Sequence, residues 1–406
     1  MRSVDDHRRA ILALVGLLPA ETVPVSTALG RVLAADVAAA VDLPGFDNSA
    51  MDGYAVRSAE LAGAGEDSPV RLPVDGDIAA GDTTTHVLGK GRTMRIMTGA
   101  PMPDGADAVV PVERTDEGEH EVELRLEPEP GRHVRRRGED IRAGDVVLRA
   151  GIRLGPGHLG LVAAGNAPEL AVRRRPRVAV VSTGDELVPP GSYVEHGQII
   201  DSNNVMLRAL VEAAGAEVAS APHLPDDPDA VRAFLADPDG DPDLVITSGG
   251  VSMGVYDTVK EVLTADGGVE FVKVAMRPGM PQGCGLVGPR RLPLVTLPGN
   301  PVSSFVSFHV FVLPALRAMV GLDPLADGSF EAVAGGSWPK VVGRAEMTRV
   351  VVEDGVARPS GGQGSHMLGA LAEATALAVV PAEADGVRDG DRLRCFPLLG
   401  LDRARG

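Results

Sequence analysis

The sequence predicts a multidomain α/β protein with a central three-layer α/β domain, a β-rich insertion before it and a small β-rich domain after it. Three observations predict this. Residues 178–320 alternate β-branched runs with helical stretches of the length that parallel β-α-β units require, and such units build a sheet covered on both faces. From about Val70 to Leu126 the pattern changes to short β segments with turns every ~8–12 residues. After Asp323 it changes again, and Phe330–Ala357 and Leu377–Phe396 read as antiparallel strands separated by the glycine-rich stretch Gly361–Ala374. At 406 residues the length suits roughly two to four domains.

Composition narrows the function. Apolar residues make up 44% of the chain, enough for real cores, and aromatics only 3%, too few for base-stacking platforms. The formal net charge is −17, so the molecule repels polyanions and no nucleic-acid partner is expected, while a locally basic pocket still admits a small anion. Two cysteines, Cys284 and Cys395, make neither a disulfide framework nor a zinc site and read as small core fillers. Arg8-Arg9 followed by ILALVGLLPA imitates a signal peptide, but Asp5 and Asp6 spoil its basic start, so it reads as a buried helix. No run reaches the ~18 apolar residues of a membrane span. The expectation is a soluble, cytoplasmic protein with no membrane partner.

In chain order, residues 4–18 read as a helix and Thr27–Leu33 as a short second one. Asp42–Arg57, DLPGFDNSAMDGYAVR, is dense in turn formers and by spacing alone reads as a solvated loop. Inside the β-rich insertion, Thr98-Gly99-Ala100-Pro101 is a tight polar corner after a strand. Arg132, Arg135, Arg136 and Arg137 cluster beside Glu139 and Asp140, which suggests local ion pairs more than a phosphate site. Gly155–Ala164 reads as a short helix starting near Pro156, and the basic run RRRPR marks the entry to the central domain.

Within the central domain three polar corners follow strands. The first is Ser182-Thr183-Gly184-Asp185-Glu186. The second is Ser248-Gly249-Gly250 with Ser252, flanked by Asp243 and Asp257. The third is Leu297-Pro298-Gly299-Asn300-Pro301. Strand, glycine turn and helix together offer backbone N–H groups and a positive helix end to an anion. Asp243 and Asp257 place carboxylates at both ends of the second corner, where a magnesium ion bridging phosphate oxygens takes oxygen ligands. Ser202 or Asn203 in IIDSNN is an expected helix N-cap, and helices are predicted to Ala214 and over Pro228–Ala236. The strand Val269–Val274 leads through Lys273 into the basic corner Arg277-Pro278-Gly279-Met280-Pro281. Ligands of parallel sheets bind beyond the carboxyl ends of the strands, so all three corners with Lys273 and Arg277 are expected on one rim. Ser365, before a short helix, reads either as a cap or as a ligand group.

The motifs FDNSAMDGYAV, IMTGAPMPDGADAVV, STGDEL, DSNN, TSGGVSMGVYD, KVAMRPG and LPGNPVSS, taken together and in this order, resemble the molybdopterin molybdenumtransferase family, which includes the E domain of gephyrin. The resemblance spans nearly the whole chain. It implies an enzyme of molybdenum cofactor biosynthesis that takes molybdate and adenylylated molybdopterin and, with magnesium, releases AMP. It implies a four-part protomer: an elongated N-terminal domain over 1–45 and 132–172, the insertion over 46–131, a molybdopterin-binding domain over 173–322 and a C-terminal β-barrel-like domain over 323–406. It further implies a homodimer with each site at the subunit interface, and the molybdopterin adenylyltransferase is a candidate partner. By motif position, Asp52 and Thr98 would reach the site from the partner subunit, with Asp185, Glu186, Asp257, Lys273 and Arg277 as catalytic groups. Ser182, Thr183, Gly184, Ser248, Gly249, Gly250, Ser252, Pro298, Gly299, Asn300, Pro301 and Ser365 would bind the pterin, and Asp243 and Asp257 the metal.

Two departures stand out. The family's basic corner usually reads K-P-G-K-P; Arg277 keeps the first charge with different geometry, and Met280 removes the second unless Arg290 or Arg291 compensates. Cys284 replaces a bulkier residue. A single-domain adenylyltransferase would not need the FDNSAMDGY, TGAPMP and C-terminal segments, and a scaffold would not need the retained carboxylates. A tungstate-selective or weakly active paralogue remains the alternative that Met280 keeps open.

Overall fold

Alternate residues of the central strands point into two separate cores, and this makes the domain three-layered. In the computed structural model, which describes residues 1–249, 258–326 and 328–399, Val178, Val180, Leu244, Ile246, Val295 and Leu297 share one core with Leu207, Leu210 and Val211 of the helix Ser202–Ala213. Their neighbours Ala179, Val181, Val245 and Leu294 face the helices Pro228–Ala236 and Thr258–Ala265 through Val231, Leu235, Val259, Val262 and Leu263. The strand period of two thus sorts side chains to opposite faces, and strands buried on both faces read as continuous apolar runs.

The sheet order is Glu217–Ser220, Arg177–Thr183, Leu244–Ser248, Leu292–Leu297, Pro281–Val287, Val269–Lys273. The first four strands are parallel. The expectation of a parallel sheet fails at the last two, because Pro281–Val287 runs antiparallel to both its neighbours. The links here, residues 274–280 and 288–291, are too short for a crossover and close as hairpins. Val269–Lys273 is consequently parallel again to Leu292–Leu297, which puts Lys273 at the same edge as the other carboxyl ends.

The N-terminal helix covers Val4–Leu12, and its Ile11 joins the first core of the central sheet. No helix forms over Thr27–Leu33: a single 3-10 turn occupies Val25–Thr27, and the chain then turns through Gly30 at φ 74°. One helix, Pro301–Met319, is long and apolar enough to cross a membrane, but Phe305, Phe308 and Val312 lie buried in the first core, which accounts for its composition.

The chain divides into two units, one of residues 1–21, 30–34 and 172–406, the other of residues 22–29 and 35–171. In the second, five strands pair in the order Ala108–Pro111, Gly53–Val56, Thr93–Ile96, Val70–Ile78, Glu121–Leu124. In the C-terminal part of the first, Ala345–Glu353, Val356–Pro359, Phe330–Ala334, Arg392–Pro397 and Ala376–Val380 pair in succession, and the last returns to the first. That ring is a closed five-stranded barrel, which leaves no free edge among its members.

Candidate active site

Register alone brings the corners together. Ser182 pairs with Ser248 and Ser248 with Leu297 across three parallel strands, while Lys273 pairs with Pro281 at the antiparallel edge. The first three strands therefore end level, on the rim where the three polar corners begin.

Two asparagines tie this rim. Asp201 caps the helix Ser202–Ala213 by accepting from the Asn204 N–H at 3.0 Å. The cap is thus Asp201, where Ser202 or Asn203 was expected, and the two asparagine side chains are released for other work. The Asn203 amide donates to Ser248 Oγ at 2.7 Å and to the Gly299 carbonyl at 2.6 Å, joining the second and third corners. The Asn204 amide donates to Ser182 Oγ at 2.9 Å, joining the first. Ser182 and Ser248 are buried, and Asn203 Oδ1 is a buried acceptor with no hydrogen-bond partner among the described residues, which leaves it able to accept from a ligand.

The corners themselves are tight. Gly184 has φ 137° and a Cβ there would collide with the Glu186 carboxylate; its carbonyl contacts His223 Nε2 at 2.9 Å. Asp185 and Glu186 are exposed; the Asp226 N–H donates to Asp185 Oδ1 at 3.1 Å and the Asp185 N–H to Asp226 Oδ2 at 3.4 Å. Gly249 has φ 96°, and its N–H donates to the Leu297 carbonyl at 3.0 Å, so it serves the sheet edge. Pro298 accepts from the Ser304 hydroxyl, and Asn300 precedes the helix that Pro301 begins. The Ser365 carbonyl accepts from the Val302 N–H at 3.1 Å, which brings the Gly361–Met367 loop of the barrel domain onto the third corner.

The structure separates Asp243 from this assembly. It precedes the strand Leu244–Ser248, and five residues at about 3.3 Å each set it about 17 Å from the rim. Its carboxylate takes two bonds from Arg174, at 2.6 and 2.9 Å, and one from the Arg177 N–H at 2.9 Å. Metal ligation at the rim by Asp243 is excluded by this placement. Arg290 and Arg291 sit in the hairpin link at the same far edge, Arg290 paired with Asp241, so neither compensates for Met280. Gly250, Ser252 and Asp257 lie outside the described residues.

Arg277 follows Lys273 in the turn closed by the Val274 N–H on the Met280 carbonyl at 2.7 Å. Met276–Arg277 pairs in parallel with Ala345 and Glu346 of the barrel, and Arg277 Nη1 lies 3.5 Å from Glu346 Oε2. Gln282 pins the turn by donating to the Gly279 carbonyl and to Ser307 Oγ, both at 2.7 Å. Sequence reasoning missed Arg349. Its guanidinium is buried and donates to the carbonyls of Gly362 at 2.7 Å and Gly364 at 3.1 Å, so it shapes the loop that carries Ser365; burial holds its pKa below the ordinary arginine value. Periodicity reads Arg349 as one more strand residue, which is why no signal exposed it.

In the other unit, Asp52 and Thr98 meet directly: the Thr98 N–H donates to Asp52 Oδ1 at 2.6 Å. Bonds from the Thr98 N–H and side chain, aided by Arg95, hold the Asp52 carboxyl below its usual range. The expectation of a solvated loop over Asp42–Arg57 fails. Asn48 and Ser49 are buried, Ser49 exchanges backbone bonds with Gly99 and Ala100, and a Cβ on Gly53 would land on the Val110 carbonyl. The basic cluster serves this loop, with Arg136 on Asp47 at 2.6 Å and Arg137 on Asp42. Cys284 and Cys395 are buried thiols, raised to about 11 by burial, as expected of core fillers.

A sheet with tied polar corners at its carboxyl edge, a barrel loop against one corner and a separate β-rich unit define a multidomain α/β protein. Its parts match three family models: the MoeA N-terminal region (domains I and II) over residues 2–165, a probable molybdopterin binding domain over 179–318, and the MoeA C-terminal region (domain IV) over 331–398. It is 45% identical to molybdopterin molybdenumtransferase 2 of Mycobacterium tuberculosis, over 98% of this chain and 100% of that one. Identity to the molybdopterin molybdenumtransferase of Haemophilus influenzae is 36%, over 99% and 100%. The crystal structure of a molybdopterin biosynthesis MoeA protein from Pyrococcus horikosii superposes with a TM-score of 0.84 at 30% identity, covering 98% of this chain and 99% of that one. The chain belongs to the molybdopterin molybdenumtransferase family of molybdenum cofactor biosynthesis.

Proposed function

We propose that the protein inserts molybdate into adenylylated molybdopterin with magnesium-dependent release of AMP, yielding molybdenum cofactor. The observation that carries this reading is the tie of Ser182, Ser248 and Gly299 by Asn203 and Asn204 at one rim, in a chain that follows the family from end to end. A serine oxygen that accepts from an amide can turn its own proton to a phosphate oxygen, so Ser182 and Ser248 are assigned to the pterin phosphate, with Thr183, Gly184 and Gly249 shaping its seat. Pro298, Gly299, Asn300 and Pro301 form the wall, and Ser365 closes it from the barrel loop. Lys273 and Arg277 balance the oxyanion charge.

Asp185 and Glu186 offer only oxygen donors, which fits a hard ion such as magnesium that keeps most of its water and takes one or two carboxylates; among the described residues no three such side chains gather into a metal cluster. We assign Asp185 and Glu186, with Asp257, to hold it. When bound it would polarise the phosphoanhydride and offset charge on the departing AMP. Asp52, kept anionic by Thr98, is assigned to the site of a partner subunit, and the working form is a homodimer. A cytoplasmic location agrees with the two free buried thiols.

One observation favours a second reading, a retuned or tungstate-selective paralogue: Met280 supplies no cation and Arg277 is engaged by Glu346. The test is AMP release from adenylylated molybdopterin with magnesium under separate molybdate and tungstate titrations. Molybdate-dependent release, lost in Asp257→Ala, supports the transferase. Release with tungstate alone supports the second reading, and no pterin binding at all rejects both.

A further inference from the structure

Glu346 is 5% exposed, and its Oε2 has no hydrogen-bond partner among the described residues. Two cations face it, Arg277 and Lys340. The Lys340 ammonium is already spent on the carbonyls of Ala384 at 2.9 Å, Ala382 at 3.2 Å and Val341 at 3.3 Å. Arg277, with its side chain 47% exposed, is therefore the remaining counter-charge, at 3.5 Å and without hydrogen-bond geometry. A contact of that kind attracts by charge while fixing no direction, since orientation comes from short, aligned bonds. Its effect is to draw the guanidinium toward the barrel.

We propose that Glu346 competes with the incoming oxyanion for Arg277 and so sets how tightly this chain holds that oxyanion. The inference rests on the transferase reading for the identity of the anion. It bears on this sequence in particular, because Met280 leaves the turn after Lys273 with Arg277 as its one cation. Binding moves the guanidinium from a buried carboxylate to the rim, and the buried carboxylate it leaves behind carries a desolvation cost that opposes the move. Glu346 is a positioning residue; it acts only through Arg277.

The test is Glu346→Gln, which keeps the shape and removes the charge, in the full-length protein. The readouts are half-saturating molybdate and kcat for AMP release, together with equilibrium binding of molybdate to the pterin-loaded protein. The expected result is a three- to tenfold fall in half-saturating molybdate with kcat within twofold. In an Arg277→Ala background the same substitution is expected to change nothing, because the pathway is gone. An unchanged or raised half-saturating molybdate in Glu346→Gln, or an equal effect with Arg277 absent, overturns the inference. Wild-type protein that releases no AMP would reject the transferase reading instead. Should Glu346→Gln fold poorly, Arg277→Lys gives a second test: a shorter cation 3.5 Å from a non-directional partner is expected to bind molybdate no more weakly than wild type, and a tenfold loss would show that the arginine geometry matters more than the competition.

Discussion

At the amino end of the central sheet Asp243 is saturated: Arg174 meets both its oxygens and the Arg177 N–H adds a third bond. At the carboxyl end the asparagines hold the serine oxygens at fixed positions, yet Asn203 Oδ1 has no partner among the described residues, and Asp185 and Glu186 stay exposed. The same sheet carries both ends, and both are rich in charge. One end spends its polar groups on each other and gains stability, whereas the other holds them apart in a fixed geometry and forgoes some. At these two ends the engagement of the carboxylates therefore separates scaffold from site better than their mere presence.

The largest effect that sharpens this contrast comes from scaffold histidines withdrawn from water. His7 is buried and His309 half-buried, and loss of hydration lowers both to about 4 from an ordinary value near 6.5. The unfolded chain then binds more protons between those values. Stability is fully present above about pH 6.5 and is lost as pH falls toward 4, by up to about 3 kcal/mol per histidine. Denaturant melts from pH 7 to pH 4 should show it. His7→Phe, beside Phe311 at 4.8 Å, should flatten part of the slope. A slope unaltered in that variant would mean that other groups drive acid unfolding.

Next comes Asp243→Ala, which strands a partly buried Arg174 and should cost about 2–3 kcal/mol, with wild-type kinetics in the folded fraction. A kinetic defect without destabilisation would put Asp243 back among the functional residues. Asn203→Ala removes two bonds at the rim; a stability loss of about 1–2 kcal/mol is expected, alongside a loss of tenfold or more in kcat/KM for AMP release. Asp52→Asn should be smallest in stability, leaving the melting temperature unchanged because the carboxylate is exposed, while AMP release falls. A melting shift of several degrees there would show that the Asp52–Thr98 contact is structural.

Much of this was legible in the sequence. The apolar runs predicted the central strands, Pro228–Ala236 was bounded correctly, and the strands that lead into the three corners end level, though residues 250–257 of the second corner lie outside the described residues. Asp243 misled because it adjoins a motif along the chain, and a strand carries its two ends apart. The short links at 274–280 and 288–291 held the signal for antiparallel pairing but were outweighed by the β-α pattern around them. Asn203 and Arg349 were hidden for a deeper reason. An asparagine early in a helix looks like a cap until a neighbouring Asp201 takes that role, and a buried arginine bound to carbonyls leaves no pattern in sequence.

The most direct test of the account is calorimetric binding of adenylylated molybdopterin to wild-type, Asn203→Ala and Asp243→Asn proteins. The account predicts at least a tenfold loss of affinity for Asn203→Ala and wild-type affinity for Asp243→Asn. Wild-type affinity in Asn203→Ala, with the loss appearing in Asp243→Asn, would contradict it and move the site to the other end of the sheet.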